Sequence, residues 1–433
     1  MSENQAELVV RELVAGGDGI ATVEVDGERR AVLLRGAAPG DRVRAAFDLA
    51  KRPARGRVLE LLEPGPSRVT PPCPVASTCG GCDLMHVSAE ARAELYASLA
   101  AQAIPAPWRD GAPSPVHHAA SSPLAYRVRA RLHVETTGRR VLVGMFAAGT
   151  NDPVTVETCG ALRPELDRLL PELPSLFEGA RGKGELSLAL GDPRVEPRPV
   201  VLDLHFSGEL PAATFARLDA WRTERGVAGA RVLERAARLP VKIGDPTPWV
   251  VGPDDAPLEL GPGGFSQASE EGNRVLARRV AELARELTAG RASPRVTELF
   301  GGAGNLSVLL ARDLDKLTVV EGDREACDAA RRNLAARQLD AKVVHADADE
   351  YALAKRLDLV VLDPPRTGAK AVAERLPDLR PRAILIVSCD PATLGRDLGP
   401  LVDRYAPVAV ETFDMFPQTS HVETVVALRE RRV

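Results

Sequence analysis

Cys389 closes the β-branched run Ile384-Leu-Ile-Val-Ser-Cys-Asp390, and Asp363 closes another ahead of Pro364-Pro-Arg-Thr-Gly368. In an open α/β sheet, functional groups gather at the carboxyl ends of parallel strands, so the two motifs read as parts of one active site. A glycine loop, Phe300-Gly-Gly-Ala-Gly-Asn305, followed by the acid Glu321, adds a nucleotide-type cofactor to a cysteine nucleophile. The chemistry that this pairing supports is specific. A thiolate that adds to C6 of a pyrimidine makes C5 nucleophilic, and C5 then takes a methyl group from a sulfonium donor. The C5 proton must leave before the enzyme is eliminated, which calls for a general base. His421 and Glu423, in Phe416-Pro-Gln-Thr-Ser-His-Val-Glu423, are the candidates. Asp363 can accept N3–H of uracil, a donor that cytosine lacks, which makes it the candidate specificity residue. Cys389, between a strand end and a helix start, is expected to favour thiolate. Cys327, inside the helical stretch 325–339, is expected to be structural.

The glycine loop places Phe300, Gly302, Gly304 and Asn305 at a strand-to-helix turn. Glycine admits close backbone approach to a ligand, and a helix start offers free N–H groups. Glu321 ends the next strand, where an acid can accept both ribose hydroxyls. Asp347, after the third strand, is a candidate for an adenine amino group. The loop is not the three-glycine dinucleotide fingerprint and lacks the Lys-Ser/Thr of a phosphate loop. A nucleoside cofactor without a pyrophosphate, S-adenosylmethionine, fits better.

These motifs need a scaffold, and from about Ser269 the sequence supplies one. Long helical stretches alternate with short apolar strands at 295–299, 317–321, 341–345, 357–362 and 383–388, which predicts a parallel doubly wound, Rossmann-like sheet. Two closing runs, 408–413 and 422–428, are close enough to pair antiparallel. At the other end, residues 7–62 alternate short apolar pairs with turns such as 25–27, as in a small β-barrel of the oligonucleotide-binding type. Six Lys or Arg against one acid between Arg42 and Arg57 suggest a cationic stripe for phosphate contacts, or a solvated strand face. Residues 124–262 read as mixed α/β, with 104–123 as an exposed connection. Three units are expected: 1–63, 64–264 and 265–433.

With 433 residues, a net charge of −4 and a pI near 6.1, the chain has no overall cationic field, so any nucleic-acid surface is local. No run is long enough to span a bilayer, and a cytoplasmic location is expected. Four of the six cysteines, Cys73, Cys79, Cys82 and Cys159, are grouped as metal or iron–sulfur ligands would be. Their x5 and x2 spacings do not make paired CxxC knuckles, which favours a cluster over structural zinc.

Cys73-x5-Cys79-Gly-Gly-Cys82 with Cys159, Phe265-Ser-Gln267, the glycine loop, Asp363-Pro-Pro-Arg366, Ser388-Cys-Asp-Pro-Ala-Thr393 and 416–423, together with the small barrel, span almost the whole chain. Taken together they resemble the RNA 5-methyluridine methyltransferases that carry an N-terminal TRAM domain. The resemblance implies Cys389 as nucleophile, Glu423 as base, and Asp363 and Gln267 as contacts to the flipped uracil and the cofactor. It also implies the four cysteines as ligands of a [4Fe–4S] cluster. Ser269 departs from the pattern, standing where an Asn is usual. The expected partner is RNA, ribosomal or transfer, bound by a monomer away from any membrane. An RNA 5-methylcytosine enzyme is the nearest rival, but that group places a second cysteine beside its Pro motif and none lies near Asp363. A catalytically silent RNA-binding protein is the other alternative, and it has no need of Cys389, Glu423 and the cofactor loop together.

Overall fold

The computed structural model describes residues 4–25, 27–137, 139–235 and 237–431. Asp26, in the turn expected at 25–27, lies outside them. The fold is α/β, built on three main sheets.

The eight-stranded sheet runs in the order 342–345, 316–321, 295–299, 359–362, 383–388, 423–430, 405–413 and 116–118. Its first five strands are parallel, and Glu423–Glu430 enters antiparallel to Ala383–Ser388. Leu359–Leu362 and Ala383–Ser388 are buried at every position, which is why both read as unbroken apolar runs instead of alternating ones. The helix Glu270–Thr288 covers one face with Leu276, Ala277, Val280, Leu283 and Ala284, the i, i+3/i+4, i+7 stripe of an amphipathic helix. Its N-cap is Ser269, whose Oγ accepts the Gly272 N–H at 3.0 Å, so the serine serves as the helix cap, a role an Asn also fills.

The N-terminal six-stranded sheet folds around its own core of Leu8, Val32, Leu34, Val43 and Phe47. The seven-stranded central sheet covers one face with the helix Ala212–Arg225 and the turns around Leu166–Phe177. A buried ion pair, Arg198 to Glu270 at 2.9 Å, ties this region to the first turn of the helix Glu270–Thr288.

Two expectations are corrected. The segment 104–123 is not merely an exposed connection: Val116–His118 adds an edge strand beside Glu411–Phe413, and Trp108 is buried in the core of the eight-stranded sheet. Its proline content masks a strand only three residues long. The cationic stripe is partly compensated, since Arg42 and Arg44 pair with Glu7, Glu60 and Glu63, and Arg55 with Asp18. Those acids lie outside 42–57 and reach the arginines only through sheet pairing.

Candidate active site

Strand register assembles the site. Leu362 pairs with Ile386, so Asp363 and Cys389 leave adjacent parallel strands at the same edge. Ser388 pairs with Thr424, which sets Glu423 opposite Cys389 on the antiparallel neighbour. Leu299 pairs with Leu362, so the glycine loop that starts at Phe300 opens beside Asp363. Residues far apart in sequence thus share one sheet edge, as the sequence predicts.

Burial dominates the electrostatics. Glu423 is 4% exposed and its carboxyl is pushed up to about 8 by desolvation and then by the Asp363 charge. Desolvation also raises Asp363 to about 7. Two buried carboxyls so coupled do not both ionise readily at neutral pH. The thiolate expectation for Cys389 is corrected: burial, followed by the Glu423 charge, pushes the thiol up to about 11. Asp390 caps the following helix by accepting the Thr393 N–H at 2.7 Å, but that helix start does not outweigh the desolvation. Arg366 works the other way, lowering both Cys389 and Glu423. Sequence reading passed over this role of Arg366, because its charge acts through space from a loop. Desolvation and Arg366 hold His421 below the usual imidazole range, and His421 stands edge-on to Phe416.

In the cofactor loop, Phe300, Gly302 and Gly304 all adopt positive φ (62°, 54° and 90°). Gly301 is fixed by contact: a Cβ there would lie 2.3 Å from Val319 Cγ1. Glu321 accepts the Gly302 N–H at 2.8 Å and the Asp323 N–H at 2.7 Å, so it holds the loop to the next turn. Asn305 and Asn273 exchange two amide hydrogen bonds, 2.7 and 2.8 Å, which turns the Asn305 side chain toward the long helix. Below the loop, buried Glu298 accepts from Ser307 at 2.6 Å and is raised to about 8 by desolvation. Asp347 is exposed beyond its strand and accepts the Asp349 N–H. Gln267 carries a buried Oε1 with no hydrogen-bond partner among the described residues, a sign of a site shaped for a donor from elsewhere. Phe265, 71% exposed, has the Arg129 guanidinium 5.6 Å from its ring centre.

Cys73, Cys79, Cys82 and Cys159 line a single cavity of about 30 Å³, with Arg127 in its wall. Burial raises the thiols of Cys79 and Cys159, and pushes Cys82 up to about 12. The Gly81 N–H donates to Cys79 Sγ at 3.4 Å, and the cysteine loop is clipped to the central sheet by Gly80 N–H to Phe146 O at 2.8 Å. Among the described residues, no three His, Cys, Asp or Glu side chains are grouped to hold a single metal ion. Cys327 is fully buried within Arg324–Ala336, its thiol donating to Glu321 O at 3.3 Å, and it lines neither the Cys389 edge nor the cysteine cavity.

Residues 264–431 match the family described as tRNA (Uracil-5-)-methyltransferase. Over nearly its whole length the chain is 32% identical to a 23S rRNA (uracil(1939)-C(5))-methyltransferase RlmD of Alkalilimnicola ehrlichii, covering 98% of this chain and 96% of the relative. The chain belongs to the RNA uracil-C5 methyltransferase family. A second member, RlmD of Halomonas elongata, is 33% identical over 99% of this chain and 90% of its own. In three dimensions the fold matches the Pyrococcus abyssi tRNA (uracil-54, C5)-methyltransferase, solved in complex with S-adenosyl-L-homocysteine. That match has a TM-score of 0.74 and 21% identity, covering 98% of this chain and all of the other. Membership in the uracil-C5 methyltransferases sets aside the 5-methylcytosine and silent-binder alternatives. No helix among the described residues is long and apolar enough to cross a membrane.

Proposed function

We propose that this uracil-C5 methyltransferase modifies a uridine of 23S ribosomal RNA, with S-adenosylmethionine as donor. The observation that carries the reading is the meeting of Cys389, Asp363 and Glu423 at one sheet edge beside the glycine loop. The choice of ribosomal over transfer RNA rests on relatives named for 23S rRNA that align from end to end.

The target uridine is extruded into the site, at a cost of a few kcal/mol in a duplex and less in a loop. Asp363 accepts its N3–H. Cys389 gives up its proton to solvent and its sulfur bonds to C6, which moves electron density to C5. C5 takes the donor's methyl group, and the donor leaves as the neutral thioether. Glu423 removes the C5 proton, the C5–C6 double bond re-forms, and the Cys389 sulfur departs from C6. The donor would be held at the glycine loop, where Glu321 and Gly301 O shape the turn by accepting the Gly302 and Gly304 N–H groups, and Phe300, Gln267, Glu321 and Asp347 are the residues that would border it. Asn305 contributes by fixing the loop through Asn273.

The four cysteines suit a [4Fe–4S] cluster better than zinc. A tetrahedral zinc needs its sulfurs within about 4 Å of one another, given bonds of about 2.3 Å. Here four half-buried cysteines border one cavity, and their x5 and x2 spacings do not make the paired CxxC knuckles of such a site. A cluster would supply a rigid crosslink between the loop 73–82 and Cys159, with Arg127 lining the same cavity. The barrel at 1–63 would serve as a TRAM-type RNA-binding unit, 64–264 as the unit that bears the cluster, and 265–433 as the catalytic unit.

Incubation of unmodified 23S rRNA and tRNA with anaerobically purified protein and methyl-labelled S-adenosylmethionine, followed by nucleoside mass spectrometry, tests the reading. Labelled 5-methyluridine in 23S rRNA supports it. Label confined to tRNA moves the target, and label in another nucleoside overturns the uridine assignment.

A further inference from the structure

The loop that leads into Glu423 is held from beneath by the cysteine loop. Asp83 directly follows Cys82, and its carboxylate accepts two hydrogen bonds from Ser420: the backbone N–H at 2.8 Å and the hydroxyl at 2.5 Å. The next residue, Leu84, donates its N–H to Gln418 O at 2.9 Å. The residues before Ser420 are tied down as well. Arg92 donates to Gln418 Oε1 at 3.2 Å, Tyr96 to Thr419 O at 2.6 Å, and Tyr126 to Pro417 O at 3.0 Å. Leu84 and Val422 share a core with Leu13 of the barrel, and a Cβ on Gly17 would stand 2.8 Å from the Asp83 carboxylate. Barrel, cysteine loop and active-site loop therefore converge on one side chain.

We propose that Asp83 is a positioning residue for the base: by gripping Ser420 it sets the path of residues 420–423 and so the aim of the Glu423 carboxylate at C5. Glu423 opens its strand, paired with Phe413 on one side, while Thr424 meets Ser388 on the other. The chain ahead of that strand takes its position from loop contacts, and among those named Asp83 provides the two-point one to Ser420, nearest to Glu423. Charge-assisted hydrogen bonds of this kind are about twice as strong as neutral ones. A displacement of about 1 Å in a reacting group can cost 100-fold in rate. Because Asp83 is covalently next to Cys82, whatever fixes the cysteine pocket also fixes Ser420. The inference rests on the proposed reaction, in which proton removal from C5 follows adduct formation.

The test compares wild type, Asp83→Ala, Asp83→Asn and Ser420→Ala, each purified anaerobically and matched for iron content and melting temperature. Turnover is read alongside the fraction of RNA covalently attached to protein on denaturing gels. Asp83→Ala is expected to lose 10- to 100-fold in turnover while the attached fraction rises severalfold above wild type, with affinity for S-adenosylhomocysteine unchanged. Asp83→Asn keeps both contacts, its carbonyl accepting from the Ser420 N–H and its amide donating to the hydroxyl, and stays within threefold of wild type. Ser420→Ala keeps one contact and falls between them, so it carries the test where Asp83→Ala does not fold. Turnover of Asp83→Ala or Ser420→Ala equal to wild type overturns the proposal, as does loss of turnover with no rise in attached RNA. A wild type that forms no 5-methyluridine would instead sink the proposed function itself.

Discussion

Glu423 stands opposite Cys389 across the seam between two antiparallel strands, and after burial its charge is the strongest influence keeping the Cys389 thiol protonated. The nucleophile and the proposed base are thus electrostatically opposed in the free enzyme. Neutralising the glutamate should release the thiol. Glu423→Gln is expected to bring Cys389 below its value of about 11 and to speed its alkylation by iodoacetamide at pH 8 by about tenfold per pKa unit. Mass spectrometry of the Cys389 peptide reads the rate, with Cys327 as internal control. Unchanged labelling would show that the two groups do not interact as described. Arg366→Gln should act in the opposite sense, because Arg366 lowers the thiol.

The step assigned to Glu423 carries its own pH signature. The carboxyl sits near 8, so its base form grows as pH rises and is nearly complete about one unit above that value. Breakdown of the covalent adduct in single-turnover experiments should therefore accelerate roughly tenfold from pH 6 to 7 and level off above about 9. A rate independent of pH across that range would remove Glu423 from the proton-transfer step.

The same shift bears on stability. Glu423 has an ordinary value of 4.5 and rises to about 8 in the fold, so the folded state binds this proton more tightly than the unfolded chain. Its contribution to stability is then fully present below about 4.5 and declines as pH rises to about 8, beyond which the loss is complete. Glu423→Gln carries no such ionisation. Its melting temperature relative to wild type should climb between pH 5 and 8 and stay level above that, a gain in stability at the expense of turnover. Thermal melts at several pH values check the trend, and a constant difference would contradict it.

How much of this was visible in the sequence depended on whether the signal was local. The strand Ala383–Ser388 is an apolar run up to its closing serine, and it and Arg295–Leu299 both appear where the sequence places them. Ser-Cys-Asp-Pro carries its helix cap in its own letters. The charges acting on Cys389 are different, because Glu423 arrives from a distant antiparallel strand and Arg366 from a loop, and burial depends on everything packed around them. A helix start predicts a thiolate only when water still reaches the sulfur. The strand Val116–His118 was hidden for a related reason: it exists only by pairing with residues almost three hundred positions away. The grip of Asp83 on Ser420 spans 337 positions and leaves no mark in either segment alone.

The glycine loop offers a mutation with a defined steric cause. Gly301→Ala would place its Cβ 2.3 Å from Val319 Cγ1, so the loop must move away from its neighbouring strand. Affinity for S-adenosylhomocysteine, measured by calorimetry, should fall at least tenfold. Gly290→Ala, at a position with φ of 79° and open space around it, serves as a control that strains the backbone without touching the loop. Equal affinities for the two variants would contradict the role given to the loop.

The central claim is a covalent bond from Cys389 to C6 of a uridine, resolved by Glu423. Its most direct measurement is peptide mapping of the RNA adduct formed by Glu423→Gln with S-adenosylmethionine and 23S rRNA, digested with protease and nuclease before tandem mass spectrometry. The account predicts one crosslinked peptide, containing Cys389 and bearing a nucleotide already methylated at C5, and no adduct at all from Cys389→Ala. A crosslink at Cys327 or another residue, an adduct that persists in Cys389→Ala, or substantial turnover by that variant would contradict it.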